Sequence, residues 1–596
     1  MAAISSLPTP PPSQYEFKMA SSSKSILSSI PVAQGLAGLG ISEDISERVR
    51  YERKLGDSET SYFLPSRAGG VNDMYLHLGF KAPEHLATRA RVSTVWAIMR
   101  VRHPLLAARV EMQEGVYDDI RFVYTPPTSV EDALLDASEN LEYRTQDRDE
   151  LISSYLNGPR TLSNDRLSYL ILSQPSSQLI PSPPVTPTFP PQDDASYSQA
   201  ESSSEGNYDL LICAAHFLGD GMALHQFAHD FFTLLGSTQS QAELVEQLQS
   251  EWKSRRSEDV LPPSLEDNLP LKGNKFRRAA AKIEFQKSQE RLIGGQTFVK
   301  AAGKPRRTVV PTVAFDEERT KRMLRRCKEN GVSISAALFA LCNVVWARMA
   351  SRKELPMMMY SALNLRPYFP VQPPHPSYWF LAVGYFNVIL PSFLPSTCSE
   401  EQIFWHRARQ AKAQSAAAAK NKLIIDRTQE MAKERGARAR QWGREDDEAE
   451  RREQAKKDGV ALPDPPKPQQ VKSGNPKPPS QALIGLSLLG NLDGIYKHAS
   501  FPAIKMHTLT TGSRQRSGGM LLFGYTFVGR LWISLGYDVN GYGEEAGVFW
   551  ERFYYTCNSL RSGAVPEIFL QVAESHDKYC FFRSFQLDHY PFNEVV

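Results

Sequence analysis

The sequence predicts an α/β protein built from mixed β-sheets and helices. An apolar run at 210–215 is typical of a buried strand, and helical periodicity follows it at 222–232. Residues 307–350 are predicted to form a strand and two further helices. With 596 residues the chain is longer than one hydrophobic core accommodates, so we expect two or more subdomains.

The first half contains segments without a strong helix or strand pattern. Residues 1–40 are rich in Ser and Pro and are expected to be disordered, with order beginning near Val49. Residues 174–206 are rich in Pro, Ser and Gln and predict a flexible insertion just before the strand at 210–215. The polar and basic stretch at 250–300 is expected to cross between the two halves of the chain.

The helices and strands of the rest of the chain follow from periodicity and turn residues. Ser333 or Ser335 is a candidate cap for a long apolar helix, because serine accepts from free backbone N–H groups. The predicted helices are 87–101, 272–287, 317–329, 333–350 and 546–560, and the predicted strands are 108–111, 307–315, 357–360, 482–490, 520–527 and 531–539.

Residues 402–458 form a long helical stretch of mixed charge, and a Pro- and Lys-rich linker follows at 462–480. Since acidic and basic residues alternate heavily at 433–457, we interpret this part as a solvated helix or a disordered arm. The segment at about 415–480 is therefore predicted to be an insertion in the second half.

Composition excludes several classes of function. The formal net charge of +3 is too small to indicate nucleic-acid binding. The six cysteines show no paired spacing, so neither a disulfide frame nor a zinc site is expected. We find no signal peptide and no apolar stretch near the roughly 18–20 residues of a membrane span, which favours a cytoplasmic protein without membrane spans.

His216, Asp220 and Gly221 form the most informative motif of the chain. A histidine ends the apolar strand, and the Asp-Gly turn opens the helix that follows. Gly221 is expected to adopt backbone angles that other residues avoid. An imidazole at the rim of a core is suited to general-base catalysis, because the pKa of histidine is close to neutrality.

This His-x-x-x-Asp-Gly string resembles the signature of the CoA-dependent acyltransferase superfamily, which includes condensation domains, plant alcohol acyltransferases and fungal O-acetyltransferases. Arg102-His103-Pro104-Leu105-Leu106 and Gly331-Val332-Ser333 resemble passages of the same superfamily. The resemblance implies two similar chloramphenicol-acetyltransferase-like lobes, an N-terminal lobe at 41–300 and a C-terminal lobe at 301–596, with a channel between them.

The resemblance also implies roles for individual residues. His216 would be the general base, and Asp220 would be structural, orienting the site through a salt bridge with Arg366. Arg366 belongs to an Asn-x-Arg string whose first residue, Asn364, is a candidate for the channel. The N–H group of Gly221 would be a candidate to stabilise the oxyanion. Asn491 is a second channel candidate.

One region departs from the plant enzymes, which carry Asp-Phe-Gly-Trp-Gly in the second half. Residues 522–530 contain neither aspartate nor tryptophan. The hairpin residues at 529–538 look more like condensation domains and fungal enzymes of the trichothecene 15-O-acetyltransferase type.

We therefore expect an acyl-CoA-dependent O-acyltransferase, with acetyl-CoA as the expected donor and a hydroxyl of a small secondary metabolite as acceptor. It would need no bound metal or redox cofactor and would act as a monomer. Two alternatives stay open: a condensation-like transferase that uses a carrier-bound acyl group or forms an amide, and a non-catalytic binding protein of the same fold. His225 and His229 have a zinc-like spacing, but no third ligand is evident beyond Asp230.

Overall fold

The computed structural model describes residues 49–175, 205–254, 260–270, 275–460, 462–463 and 480–559. The segment expected to be disordered at 1–40, most of the insertion predicted at 174–206 and most of the linker predicted at 462–480 lie outside these residues.

The first half of the chain contains both strands and helices. The predicted helix at 87–101 and the predicted strand at 108–111 are confirmed, with ends that agree within two residues. The strand predicted at 210–215 is also confirmed, but it begins five residues earlier, at Glu205. The elements are β1 (Tyr51–Lys54), α1 (Asp57–Ser66), β2 (Met74–Pro83), α2 (Arg89–Arg102), β3 (Arg109–Met112), β4 (Ile120–Tyr124), α3 (Val130–Glu139), β5 (Leu141–Arg144), α4 (Arg148–Asn157), β6 (Ser168–Ser173), β7 (Glu205–Ala214), α5 (Gly221–Leu235), α6 (Gln241–Ser254), α7 (Leu265–Asn268) and α8 (Lys275–Glu290).

The second half has the same mixed character. Ser333 caps its apolar helix, because the serine hydroxyl accepts from the N–H of Ala336 at 3.2 Å. The elements are β8 (Thr308–Val309), β9 (Thr312–Ala314), α9 (Glu317–Glu329), α10 (Ile334–Met349), β10 (Met357–Asn364), β11 (Val383–Leu390), α11 (Glu400–Ala419), α12 (Ile424–Lys457), β12 (Ile484–Asn491), β13 (Lys505–Ser513), β14 (Met520–Phe527), β15 (Arg530–Asp538) and α13 (Glu545–Ser559). The strand predicted at 307–315 is divided into β8 and β9.

Two large sheets organise the described residues. The first has the strand order β13-β2-β7-β6-β5, and the second has the order β11-β10-β12-β14-β15-β8, with β9 also paired to β15. A small third sheet has the strand order β1-β4-β3. Parallel and antiparallel pairs occur in both large sheets, so the predicted α/β fold with mixed sheets is confirmed.

Strand β13 belongs to the first sheet although it comes from the second half of the chain. It pairs antiparallel with β2 from Lys505 opposite Lys81 to Ser513 opposite Met74. A division of the lobes at residue 300 therefore does not hold for this strand. Periodicity reports which face of a strand is buried and contains no information about the sheet that the strand joins.

Helix α12 is not a solvated arm as far as Gly443, so this part of the prediction is wrong, whereas residues 444–457 are exposed or half-buried as a solvated helix should be. Its small residues Ala432, Gly436, Ala439 and Gly443 are buried and share one face. That face packs on α1 of the first half. The helical conformation itself was predicted correctly.

Among the described helices, none is by itself long and apolar enough to span a membrane. Helices α9 and α10 meet the criteria of length and composition only as a pair, and this pair is bent by 92°.

Candidate active site

His216 lies where the two halves of the chain meet. It follows β7, whose buried residues continue into Ala215, and the backbone N–H of Ala215 donates to Leu167 at 3.0 Å. The residue as a whole keeps a small exposed fraction. Its position at the end of a central strand gives the imidazole a rigid support on one side and access to the seam between the halves on the other.

The tautomer of His216 is set by its own turn. Nδ1 lies 3.1 Å from the carbonyl oxygen of Gly219, and since a carbonyl only accepts, Nδ1 carries the proton. Nε2 then presents a lone pair, and no described residue hydrogen-bonds to it.

Trp379 packs so closely on Gly219 that an added Cβ would lie 3.0 Å from Cε3 of the indole, which accounts for glycine at this position.

Tyr62 covers one face of the imidazole, and Tyr385 and Arg435 contact Tyr62 in turn. The ring of Tyr62 stacks on His216 with centroids 4.2 Å apart and an angle of 21° between the planes. The hydroxyl groups of Tyr62 and Tyr385 are hydrogen-bonded, and we call these two residues the tyrosine pair. The guanidinium carbon of Arg435, on α12, lies 5.4 Å from the centroid of Tyr62 and 4.6 Å from that of Tyr385.

The surroundings keep His216 neutral near pH 7. Burial lowers the pKa of the imidazole below its ordinary value, the nearby carboxylate of Asp220 opposes this shift, and the positive charge of Arg435 adds to it. A neutral imidazole with a free Nε2 is the form that can accept a proton.

Asp220 has a different task, because its carboxylate is fully engaged by the protein. Oδ1 accepts from the N–H groups of Met222 and Ala223 at 3.0 and 3.2 Å, so Asp220 is the N-cap of α5. Oδ2 accepts from the N–H of Ala382 at 2.8 Å. The side chain is buried, and these bonds tie the turn after β7 to the second half of the chain.

The structure brings Arg366 and Asp220 together, as the resemblance implied. Nη1 of Arg366 lies 2.9 Å from both carboxylate oxygens, and the two side chains are 18% and 3% exposed. Nη2 donates to the carbonyl of Phe380 at 3.0 Å. Asn364 is exposed, and its Oδ1 accepts from the N–H of Arg366 at 3.1 Å. It supports the arginine turn through this hydrogen bond.

The two remaining candidates differ in position. Gly221 is the first residue of α5, and its φ is not positive, so the expected backbone strain is absent; an added Cβ would instead lie 3.2 Å from Leu489. Asn491 is exposed, and its Oδ1 accepts from the N–H of Asp493 and the hydroxyl of Thr526. Asn491 therefore stabilises the end of β12 and the turn that follows it.

A cavity of about 190 Å³ lies between the halves next to the tyrosine pair. Tyr62, Tyr385 and Arg435 belong to its lining, whereas His216 does not. Because Tyr62 contacts His216 and also lines the cavity, this tyrosine separates the imidazole from the cavity.

Sequence reasoning missed the tyrosine pair and Arg435. Tyr62 precedes the motif by more than 150 residues, and Arg435 lies in a segment that we had interpreted as solvated. Neither residue is part of a short motif: α1 brings Tyr62 directly onto His216, and the packing of α12 on α1 brings Arg435 to Tyr62.

The zinc alternative has no support among the described residues, where no three His, Cys, Asp or Glu side chains converge. Nδ1 of His225 is hydrogen-bonded to the hydroxyl of Tyr496 at 2.9 Å. Oδ2 of Asp230 accepts from Tyr378 at 2.7 Å.

The two mixed sheets that share a seam form the condensation-domain fold, which is also the chloramphenicol-acetyltransferase-like fold. The fold that the resemblance implied is thus confirmed.

Among solved structures, the chain is similar to TRI3 trichothecene 15-O-acetyltransferase from Fusarium sporotrichioides, with a TM-score of 0.63, 13% identity and coverage of 88% of this chain and 97% of that chain. It is also similar to the first condensation domain of the CDA synthetase (TM-score 0.50, 11% identity, 86% and 96% coverage). The condensation domain of the monacolin K polyketide synthase MokA gives a TM-score of 0.50 at 10% identity, with 86% and 97% coverage. No protein-family model and no curated protein sequence matches the chain.

Proposed function

We propose that the protein is an acyl-CoA-dependent O-acyltransferase that acetylates a hydroxyl group of a secondary metabolite. The observation that carries the proposal is the free Nε2 of a neutral His216 at the seam between the two halves. The likeness in fold to a trichothecene 15-O-acetyltransferase supports it as an analogy.

In the proposed reaction, Nε2 of His216 removes the proton from the acceptor hydroxyl while its oxygen attacks the thioester carbonyl. The tetrahedral intermediate collapses, the carbon–sulfur bond breaks, and the CoA thiolate takes the proton back from the imidazolium. The Nδ1–H bond to Gly219 holds the ring in the required tautomer throughout.

The oxyanion would be stabilised at the start of α5. Asp220 already accepts from the N–H groups of Met222 and Ala223. The N–H of Gly221 has no hydrogen-bond partner among the residues described here, and it lies at the positive end of the helix. Such a donor suits a charge that develops only in the transition state.

Entry through the cavity requires Tyr62 to turn away from His216, because its ring covers the imidazole on that side. Closure of the tyrosine pair after binding would exclude water and protect the thioester from hydrolysis.

The experiment incubates the purified chain with hydroxylated metabolites and, separately, with acetyl-CoA, longer acyl-CoAs or an acyl-loaded carrier protein. Mass spectrometry then detects acyl transfer, while a thiol reagent follows the release of CoA. Transfer from acetyl-CoA to a hydroxyl is the expected result. Transfer from the carrier alone, or amide formation, would replace this proposal with the condensation-like alternative, and no transfer in any arm would favour the binding protein.

A further inference from the structure

Helix α8 packs on α12 with one of its faces. Nε of Arg277 lies 3.2 Å from Oδ2 of Asp426, and Arg427 of α12 is paired with Glu284. The buried residues of α8 follow one another at intervals of four and are Ala281, Phe285 and Gln289. These contacts determine which face of α8 points away from the rest of the protein.

The outward face of α8 exposes two large apolar side chains. Phe276 is 81% exposed and Ile283 is 54% exposed. They are seven residues apart, so they lie on the same side of the helix, two turns from each other. Ala279 is exposed between them. Single exposed apolar residues are common, but two large ones on one helical stripe indicate a contact surface.

Positive charge accompanies this apolar stripe. Lys275, Arg278 and Lys282 are exposed and share one edge of the stripe by their spacing, and Lys287 is exposed one turn after Ile283. None of these four cations forms an ion pair with any residue that the structure describes. The outward side of α8 is therefore both apolar and basic, and its charge is complementary to an anionic surface.

A helix with an apolar stripe and a basic edge suits the surface of a membrane that contains anionic lipids. The apolar side chains enter the region of the headgroups, while the lysine stems extend along it and leave their ammonium groups beside the phosphates. The attraction of each cation to the negative surface adds to that of the others, so a short helix is sufficient.

A protein partner of α8 would have too little surface to bind. The helix has 16 residues and is therefore about 24 Å long. A strip of that length and about 10 Å wide is well below the roughly 800 Å² per partner that stable protein interfaces bury. The convex, protruding side chains of this strip favour a membrane as the partner.

We infer that α8 binds the surface of membranes that contain anionic lipids, through Phe276, Ile283 and the four cations beside them. This contact is peripheral and requires no helix that spans the membrane. It is also independent of the proposed acyl transfer, since α8 contributes no residue to the site around His216.

Sedimentation of the full chain with lipid vesicles tests the inference. One set of vesicles contains phosphatidylcholine alone, and the other contains phosphatidylcholine mixed with phosphatidylserine. The double variant Phe276→Ala with Ile283→Ala removes the apolar stripe. The double variant Lys282→Glu with Lys287→Glu reverses two charges, and Lys282→Arg with Lys287→Arg preserves them.

Matched controls change similar residues elsewhere on the surface. Leu135→Ala removes an exposed apolar side chain of α3. Lys304→Glu with Lys353→Glu reverses two exposed charges outside α8. Circular dichroism establishes that every variant is folded.

We expect the wild type to bind the vesicles with phosphatidylserine and to leave them at high salt, with much weaker binding to phosphatidylcholine alone. The alanine and glutamate variants of α8 should each bind about 10-fold more weakly or worse. The arginine variant and the controls should bind as the wild type does. Acyl transfer to a water-soluble acceptor should be the same in all variants.

The inference is contradicted if the chain does not bind the anionic vesicles, if both sets of vesicles bind equally, or if the controls weaken binding as much as the α8 variants. Binding of poly-glutamate without binding of vesicles would assign this face to an acidic protein and reject the membrane. Vesicle binding without acyl transfer in any assay would reject the proposed function and leave the membrane contact in place.

Discussion

The turn that carries His216 and the helix that covers it differ in how their structure is determined. The turn is local: Asp220 caps α5 within three residues of its own position, and Gly219 accepts from the ring three residues before it. Helix α12 reaches the same place through contacts with α1, more than 350 residues away in the chain. One side of the site thus follows from neighbouring residues, and the other follows from tertiary packing.

The clearest test of the turn that carries His216 is the variant His216→Ala. We expect acyl transfer to fall about 10²-fold to 10⁴-fold, because no other described group at the turn can accept the hydroxyl proton. The rate of CoA release under saturating substrates measures the loss, with circular dichroism as the check on folding.

His85→Ala is the matched control, since it removes an exposed histidine of the same half. Equal losses in the two variants, or none in His216→Ala, would remove the imidazole from the reaction.

Asp220→Ala separates the structural partner from the base. It leaves the guanidinium of Arg366, 18% exposed, without its carboxylate, so we expect the free energy of unfolding to fall by about 3–5 kcal/mol. Urea denaturation of Asp220→Ala, Arg366→Ala and the double variant measures the coupling between the two side chains. If Asp220→Ala keeps full stability and loses only activity, the aspartate acts in the chemistry.

The packing of α12 on α1 is tested by the variant Gly436→Leu on α12. An added Cβ would lie 2.5 Å from Oδ1 of Asp57, so a larger side chain should force α12 away from α1. We expect a loss of about 1–3 kcal/mol in the free energy of unfolding, as for other overpacked sites.

Ala437→Leu provides the comparison, because Ala437 is exposed on the same helix. Similar stabilities for the two leucine variants would show that α12 does not pack on α1 in solution.

The smallest effect expected is a shift in pH dependence. The base acts when deprotonated, and burial lowers the pKa of His216, so the rate should rise with pH through a value below 6.5 and level off near neutrality. Arg435→Gln removes a positive neighbour that disfavours the imidazolium, and the rising limb should therefore move to higher pH. A profile of kcat/KM against pH measures both, and a limb that moves to lower pH would contradict the electrostatic coupling.

Much of the fold and the core of the site could be predicted from the sequence, and the reason lies in the range of the interactions. The strand before His216, the cap at Asp220 and the helix after it depend on patterns within about twenty residues. Arg366 became a candidate only because its Asn-x-Arg string resembles a known one.

The features that the sequence did not predict depend on contacts between residues that are far apart in the chain. The alternating charges of α12 indicated a solvated helix, yet its small residues at 432, 436, 439 and 443 bury one face against α1. Strand β13 has an ordinary strand pattern and still joins the sheet of the other half. Asn491 is the last residue of β12, and its side chain accepts from the N–H of Asp493 and the hydroxyl of Thr526.

The central claim is that Nε2 of His216 lies within reach of both the thioester and the hydroxyl. The most direct measurement is a crystal structure with a non-hydrolysable thioether analogue of acetyl-CoA. We predict that the acyl carbon lies between the two halves, roughly 6 Å or less from Nε2, with Tyr62 turned away from the ring. An analogue bound with its acyl group elsewhere, and Tyr62 still stacked on His216, would contradict the account.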